Sequence, residues 1–192
     1  MRKITEQEIR AFDEDGFVIC RQVLHADELE VFRAESARLI GDILAGGTRA
    51  GQMCLRGPEG VPYYLTYLHS HPNDFSLRLL AHPFIGDLLT RMVGPDFVPC
   101  YESLVFKLRG EGSSVPWHRD GNPPAGNERI FNIDIYPDSS TVENSCVWAV
   151  AGSHLWEHEK AMEWVRRGRE DFYGLDGAVP TETEPGDVLL HH

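Results

Sequence analysis

The tripeptide His118-Arg119-Asp120 places an imidazole and a carboxylate two residues apart. In an extended chain the side chains alternate with a period of two, so both groups point the same way and can bind one ion from one side. A second imidazole from a distant strand would complete a two-His-one-carboxylate set. That set leaves open positions on Fe(II) for a co-substrate and for dioxygen. The spacing alone also fits a turn carrying a solvated His and Asp, so the surrounding sequence has to decide.

Other metal-binding patterns are missing. His25, His69, His71, His82 and His158 have no paired spacing. The four cysteines, Cys20, Cys54, Cys100 and Cys146, are scattered and form no Cys-x-x-Cys pair. They read as buried or half-buried free thiols in a reducing cytosol. A net charge of −12 disfavours a nucleic-acid backbone or an anionic membrane surface as partner. No apolar run approaches the roughly 20 residues that span a bilayer, and the start, Met1-Arg2-Lys3-Ile4-Thr5-Glu6, has no signal-peptide core. The expected location is cytoplasmic, and the charge is compatible with small-molecule chemistry without arguing for it.

The elements that must position the tripeptide can be read from periodicity and punctuation. Thr5-Glu6-Gln7-Glu8 is predicted to cap a helix running to about Glu14. Asp15-Gly16 turns the chain into a short apolar strand, Phe17-Val18-Ile19-Cys20. Asp27 is predicted to cap an amphipathic helix from Glu28 to Leu44, ended by Gly46-Gly47. Residues from Gly51 to Ser70 read as loop or irregular strand. A further helix is predicted over Pro83 to Met92. Strands are predicted over Phe97 to Lys107, Arg129 to Tyr136, Cys146 to Val150 and Val188 to Leu190. Short strands with turn signals after N-terminal helices predict a β-sandwich or jelly roll with flanking helices, and 192 residues suit one domain.

Within Arg129–Tyr136, Ile133 and Ile135 face one side and Asn132 and Asp134 the other. The polar face meets either solvent or the polar interior of a barrel mouth. Tyr101 and Ser103 lie in phase with Val105 and are candidates for the same cavity.

Four ordered segments resemble the phytanoyl-CoA dioxygenase family of Fe(II)- and 2-oxoglutarate-dependent oxygenases. Phe12-Asp13-Glu14-Asp15-Gly16-Phe17-Val18-Ile19 resembles the family's opening acidic-Gly-Phe-Val strand. Val105-Phe106-Lys107, a Gly-containing loop and Pro116-Trp117-His118-Arg119-Asp120 resemble its metal-binding stretch. Glu143 to His154 resembles its Glu-Asn-Gly-Cys and Pro-Gly-Ser-His segment, with Ser145 and Ala151 in place of the usual Gly and Pro. Glu184 to His192 resembles the strand leading to its distal His. The resemblance implies a double-stranded β-helix. It implies His118 and Asp120 as ligands to Fe(II), with 2-oxoglutarate split to succinate and carbon dioxide as dioxygen is used to oxidise a small organic molecule. Ser103 and Asp134 sit where family members place residues near the co-substrate. A carboxylate there would repel those of 2-oxoglutarate unless a cation or bound proton intervenes. His154 corresponds to a structural His of a turn, and Trp117 to a packing residue beside the ligand.

By the same alignment His192 falls on a non-ligand His. The third metal ligand, and the Arg or Lys that pairs with 2-oxoglutarate, are expected past residue 192, in a single oxygenase domain that lacks its last strands over 1–192. Less favoured stand-ins for the third ligand are His191 and His192, of which at most one can face the metal. Two other functions fit the residues less well. One is a jelly roll that only holds a ligand or metal. The other is a cupin-like isomerase or epimerase, which usually brings more His ligands.

Overall fold

The computed structural model describes residues 2–46, 54–57, 60–66, 68, 75–98, 102–108, 115–120 and 131–192. Tyr67, His69, His71, Cys100, Tyr101 and residues 121–130 lie outside the described residues. Among the described residues five α-helices and eight strands follow in order. They are α1 (Glu6–Asp15), β1 (Phe17–Cys20), α2 (Ala26–Leu44), β2 (Cys54–Arg56), β3 (Pro62–Thr66), α3 (Phe75–Leu80) and α4 (Pro83–Val93). After them come β4 (Ser103–Val105), β5 (Asn132–Ile135), β6 (Trp148–Val150), α5 (His158–Glu170), β7 (Ala178–Pro180) and β8 (Val188–His191). The predicted plan of small sheets with flanking helices is present. Among the described residues no helix is long and apolar enough to cross a membrane.

The chain divides into two compact units. One comprises Glu30–Val115. Its sheet has the order β2-β3-β4, antiparallel throughout, with a register shift between Leu55 and Arg56. Leu39 and Ile43 of α2 pack with Leu65, Leu68 and Phe106 in its core. Within the stretch read as loop or irregular strand, the described residues include β2 and β3, paired with that irregularity. Ser103 pairs with Thr66 across the β3–β4 ladder and is half-buried.

The other unit combines Arg2–Leu29 with Pro116–His192. Its sheet has the order β1-β8-β5, antiparallel on both sides of β8. Val188, Leu189 and Leu190 are fully buried. An unbroken apolar run is what a central strand covered on both faces requires. The ladder pairs Phe17 and Asn132 with His191, one on each side. A second ladder joins β6 to β7.

Local chemistry explains the helix ends. Thr5 and Glu8 form the predicted capping box: the Glu8 N–H donates to Thr5 Oγ1 and the Thr5 N–H to Glu8 Oε2. Gly16 closes α1 at φ +82°, and a Cβ there would lie 2.4 Å from Nδ1 of His154. Only glycine meets both demands. α2 starts before the predicted Asp27 cap. The His25 N–H donates to Glu28 Oε2 at 2.8 Å, so Asp27 lies in the first turn, where its charge favours the helix dipole. Helix α5 was not foreseen: its buried positions are the small residues Ala161 and Gly168, which carry little hydropathy signal.

Ser145, one of the departures from the family pattern, has φ +72°. An L-residue pays roughly 1–2 kcal/mol in that region, so the substitution costs more than a neutral change of turn residue. Ser145→Gly is expected to stabilise the protein by about 1 kcal/mol, read as a rise of a few degrees in thermal unfolding. An unchanged or lower midpoint would contradict it.

The cysteines match the free-thiol expectation where they are described: Cys20 and Cys146 are buried and Cys54 half-buried, all reduced. Burial pushes the Cys20 thiol up to about 12, which keeps it protonated and unreactive.

Candidate functional site

Residues 115–120 are not part of a β-ladder, so the alternation predicted for the tripeptide must be imposed from outside. Two side chains do this. Trp117 donates from Nε1 to the Phe172 carbonyl at 3.0 Å and packs on Phe172 and Trp164. Arg119 donates to the carbonyls of Trp156 and His154 at 3.1 and 3.2 Å. Their neighbours His118 and Asp120 turn to the other side.

The Trp117 seat depends on a notch in α5. A Cβ on Gly168 would lie 2.5 Å from Cδ1 of Trp117 and 2.8 Å from Cδ1 of Leu175. Gly168→Ala would gain about 1 kcal/mol of helix propensity. Overpacking against a rigid indole costs about 1–3 kcal/mol, so the clash wins. Thermal unfolding should move down by a few degrees, with a shifted tryptophan emission. A higher midpoint with unaltered emission would overturn this assignment.

On the other side three polar groups converge on Asp120, and Asp134 joins them through His191. His118 Nε2 stands 3.2 Å from Asp120 Oδ1. Asn132 of β5 donates from Nδ2 to Asp120 Oδ2 at 2.7 Å. His191 of β8 places Nδ1 3.8 Å from the same Oδ2 and Nε2 3.1 Å from Asp134 Oδ2. The polar face of β5 therefore looks onto the tripeptide. His191 and His192 diverge as strand alternation demands: the His192 ring lies against Phe12 and His154. His154 holds the Asp13 carbonyl at 3.2 Å through Nε2, in keeping with a structural turn residue.

Charges within this cluster shift one another. The hydrogen bond to Asp120 raises the His118 pKa against the opposing cost of burial. The same bond, against burial, lowers that of Asp120. Burial works against a charged His191, but its bond to Asp134 and the charges of Asp134 and Asp120 outweigh it and raise the pKa. The raised imidazoles contribute stability that is complete below the ordinary His value of 6.5 and is lost as pH climbs through their folded-state values. The lowered carboxylate contributes stability that is complete above 3.8 and is lost as pH falls through its folded-state value. The metal-free protein should hold its full contribution from the cluster between about pH 4 and 6.5. The difference in unfolding midpoint between the parent and His191→Gln, followed from pH 5 to 9, should shrink on the alkaline side. A constant difference would refute this.

Two features fit the His118–Asp120 pair to a metal ion. The Pro116 carbonyl sits 2.8 Å from His118 Nδ1. It accepts from that nitrogen and leaves the lone pair of Nε2 in the neutral ring aimed at Asp120, the arrangement typical of a ligating imidazole. Two donors at right angles around one ion, each roughly 2.1 Å away, stand about 3.0 Å apart, close to the observed 3.2 Å. Among the described residues no group of three His, Cys, Asp or Glu side chains is set to hold one ion.

Residues 12–192 match the family model described as phytanoyl-CoA dioxygenase (PhyH). A curated relative, "Dioxygenase lolE1" of Epichloe uncinata, is 28% identical over 201 residues, covering 97% of this chain and 73% of its own. The crystal structure of EvdMO1 is 29% identical with a TM-score of 0.78. It matches 96% of this chain, which spans only 43% of EvdMO1. EctD from S. alaskensis, solved with 2-oxoglutarate and 5-hydroxyectoine, matches 98% of this chain and 67% of its own at 21% identity and a TM-score of 0.77. At that identity EctD speaks for the shared double-stranded β-helix fold and not for a shared substrate.

Proposed function

The chain belongs to the phytanoyl-CoA dioxygenase family, and on that premise we propose that it is an Fe(II)- and 2-oxoglutarate-dependent dioxygenase oxidising a small organic molecule. The observation that carries the proposal is the His118–Asp120 pair, brought to 3.2 Å with the imidazole set by the Pro116 carbonyl. His118 and Asp120 would hold the metal. When bound, Fe(II) with 2-oxoglutarate supplies dioxygen activation coupled to release of succinate and carbon dioxide.

The chain's own residues have three tasks in this reading. His118 and Asp120 offer a neutral nitrogen and an anionic oxygen from one side, which leaves the opposite side open to co-substrate and dioxygen. Trp117 and Arg119 keep the two donors from turning away. Asp134 is proposed to lie beside the co-substrate. His191, with Nε2 3.1 Å from Asp134 Oδ2, is the neighbour that would temper the repulsion of Asp134 toward another carboxylate.

Anaerobic titration of the protein with Fe(II) and 2-oxoglutarate tests the reading. A weak visible charge-transfer band is expected, and under air 2-oxoglutarate should be turned over to succinate. Absence of both would defeat the proposal. A second reading, a jelly roll that holds a ligand or metal without catalysis, draws on the lack of a three-donor set among the described residues. Metal binding without any succinate release would favour it.

A further inference from the structure

Asp120 has two carboxylate oxygens, and the protein treats them differently. Oδ1 faces His118 Nε2 at 3.2 Å. Oδ2 accepts the Asn132 amide at 2.7 Å and lies 3.8 Å from His191 Nδ1. Asn132 and His191 are direct partners across the β5–β8 ladder, so both reach Oδ2 from adjacent strands on one face. The amide orientation follows from the acceptor: only the NH₂ end of Asn132 can face a carboxylate.

We infer that Asn132 is a positioning residue that restricts Asp120 to one-oxygen ligation. With Oδ2 held by the amide, the carboxylate cannot rotate to present both oxygens to an ion beside His118. Oδ1 alone remains for the metal, which preserves a coordination position that a two-oxygen grip would take. The bond of 2.7 Å lies at the short end expected for a charge-assisted N–H···O contact. Outer partners of metal-binding carboxylates tune affinity as well as orientation. Asp134 continues the chain by holding His191 Nε2 at 3.1 Å, so His191 cannot swing away from Oδ2 without losing that partner. Neither the family match nor the bare His-x-Asp pattern points to Asn132.

This inference rests on the metal site proposed above, and the experiment separates the two. Mn(II) affinity is measured by calorimetry, and the ligand-field spectrum of the Co(II)-loaded protein is recorded, for the parent, Asn132→Leu, Asn132→Gln and His118→Ala. Asn132→Leu is expected to weaken Mn(II) binding about 10–100-fold and to change the Co(II) spectrum as the freed oxygen enters coordination. Asn132→Gln, which keeps the amide donor, should recover part of both. If Asn132→Leu does not fold, Asn132→Ala is read against the same limits. Parent-like affinity and spectrum in the folded variant would overturn the positioning role, even with binding lost in His118→Ala. A parent protein that binds neither ion would instead overturn the metal site itself.

Discussion

His118→Ala is expected to abolish metal-dependent turnover of 2-oxoglutarate while leaving the protein folded. Both halves follow from the geometry. Removing the imidazole deletes one of the two donors that converge on the side of Asp120 Oδ1. Losing a ligand costs more than losing an outer partner, which is itself worth 10–100-fold in affinity. A loss of at least about 100-fold in Fe(II) or Mn(II) affinity is therefore expected. The side chains of His118 and Asp120 are 49% and 35% exposed, and an ion pair that open contributes less than about 1 kcal/mol to folding. Calorimetric titration with Mn(II), succinate release and a thermal melt of the same sample check the expectation together. A variant that still binds metal with parent affinity would remove His118 from the site. A variant that unfolds would show that its role is structural.

Asp187→Ala is expected to have the largest effect on stability. Asp187 is fully buried. Its Oδ1 accepts the Gln22 N–H at 2.9 Å, and its Oδ2 accepts the Glu184 N–H at 2.9 Å and Arg21 Nη1 at 2.6 Å. Around it, the Gly186 carbonyl accepts from the N–H groups of Val23 and Leu24, and Tyr136 exchanges backbone bonds with Gly186 and Asp187. The Pro185-Gly186-Asp187 turn thus ties the end of β1, the end of β5 and the start of β8 into one node. Alanine would leave two backbone N–H groups without their acceptor, at about 1–3 kcal/mol each. A total of roughly 4 kcal/mol corresponds to a fall of about 10 °C in the unfolding midpoint. Arg21→Ala is the control: its side chain is 56% exposed, so the ion pair alone is worth less than about 1 kcal/mol. Equal losses in the two variants would assign the effect to the charge pair and not to the turn. Because β8 carries His191, Asp187→Ala should also loosen the metal site, seen as weaker Mn(II) binding even below the new midpoint.

Some of this protein was legible residue by residue. The Thr5–Glu8 capping box, the buried run Val188–Leu190 and the divergence of His191 from His192 depend on neighbours a few positions apart and on fixed repeat lengths. The segment with the His-x-Asp pattern and its three companions named the family that the whole-chain match supports. Helix α5 escaped notice because its inward positions are small, chosen for the indole of Trp117 and not for hydropathy. The positive φ of Ser145 has no spelling in residue types.

The tertiary structure alone decided which polar residues share the site. Whether Asn132 and Asp134 met water or a cavity was open in the sequence, since alternation sorts a strand into two faces without saying what covers either. Their partners are 12 residues away for Asn132 and 57 for Asp134. Contacts over such separations are selected by the register of β5 on β8 and by the anchoring of Trp117 and Arg119. Nearest-neighbour chemistry shaped each element, and the pairing of distant strands set Asp120 among Asn132, His191 and His118.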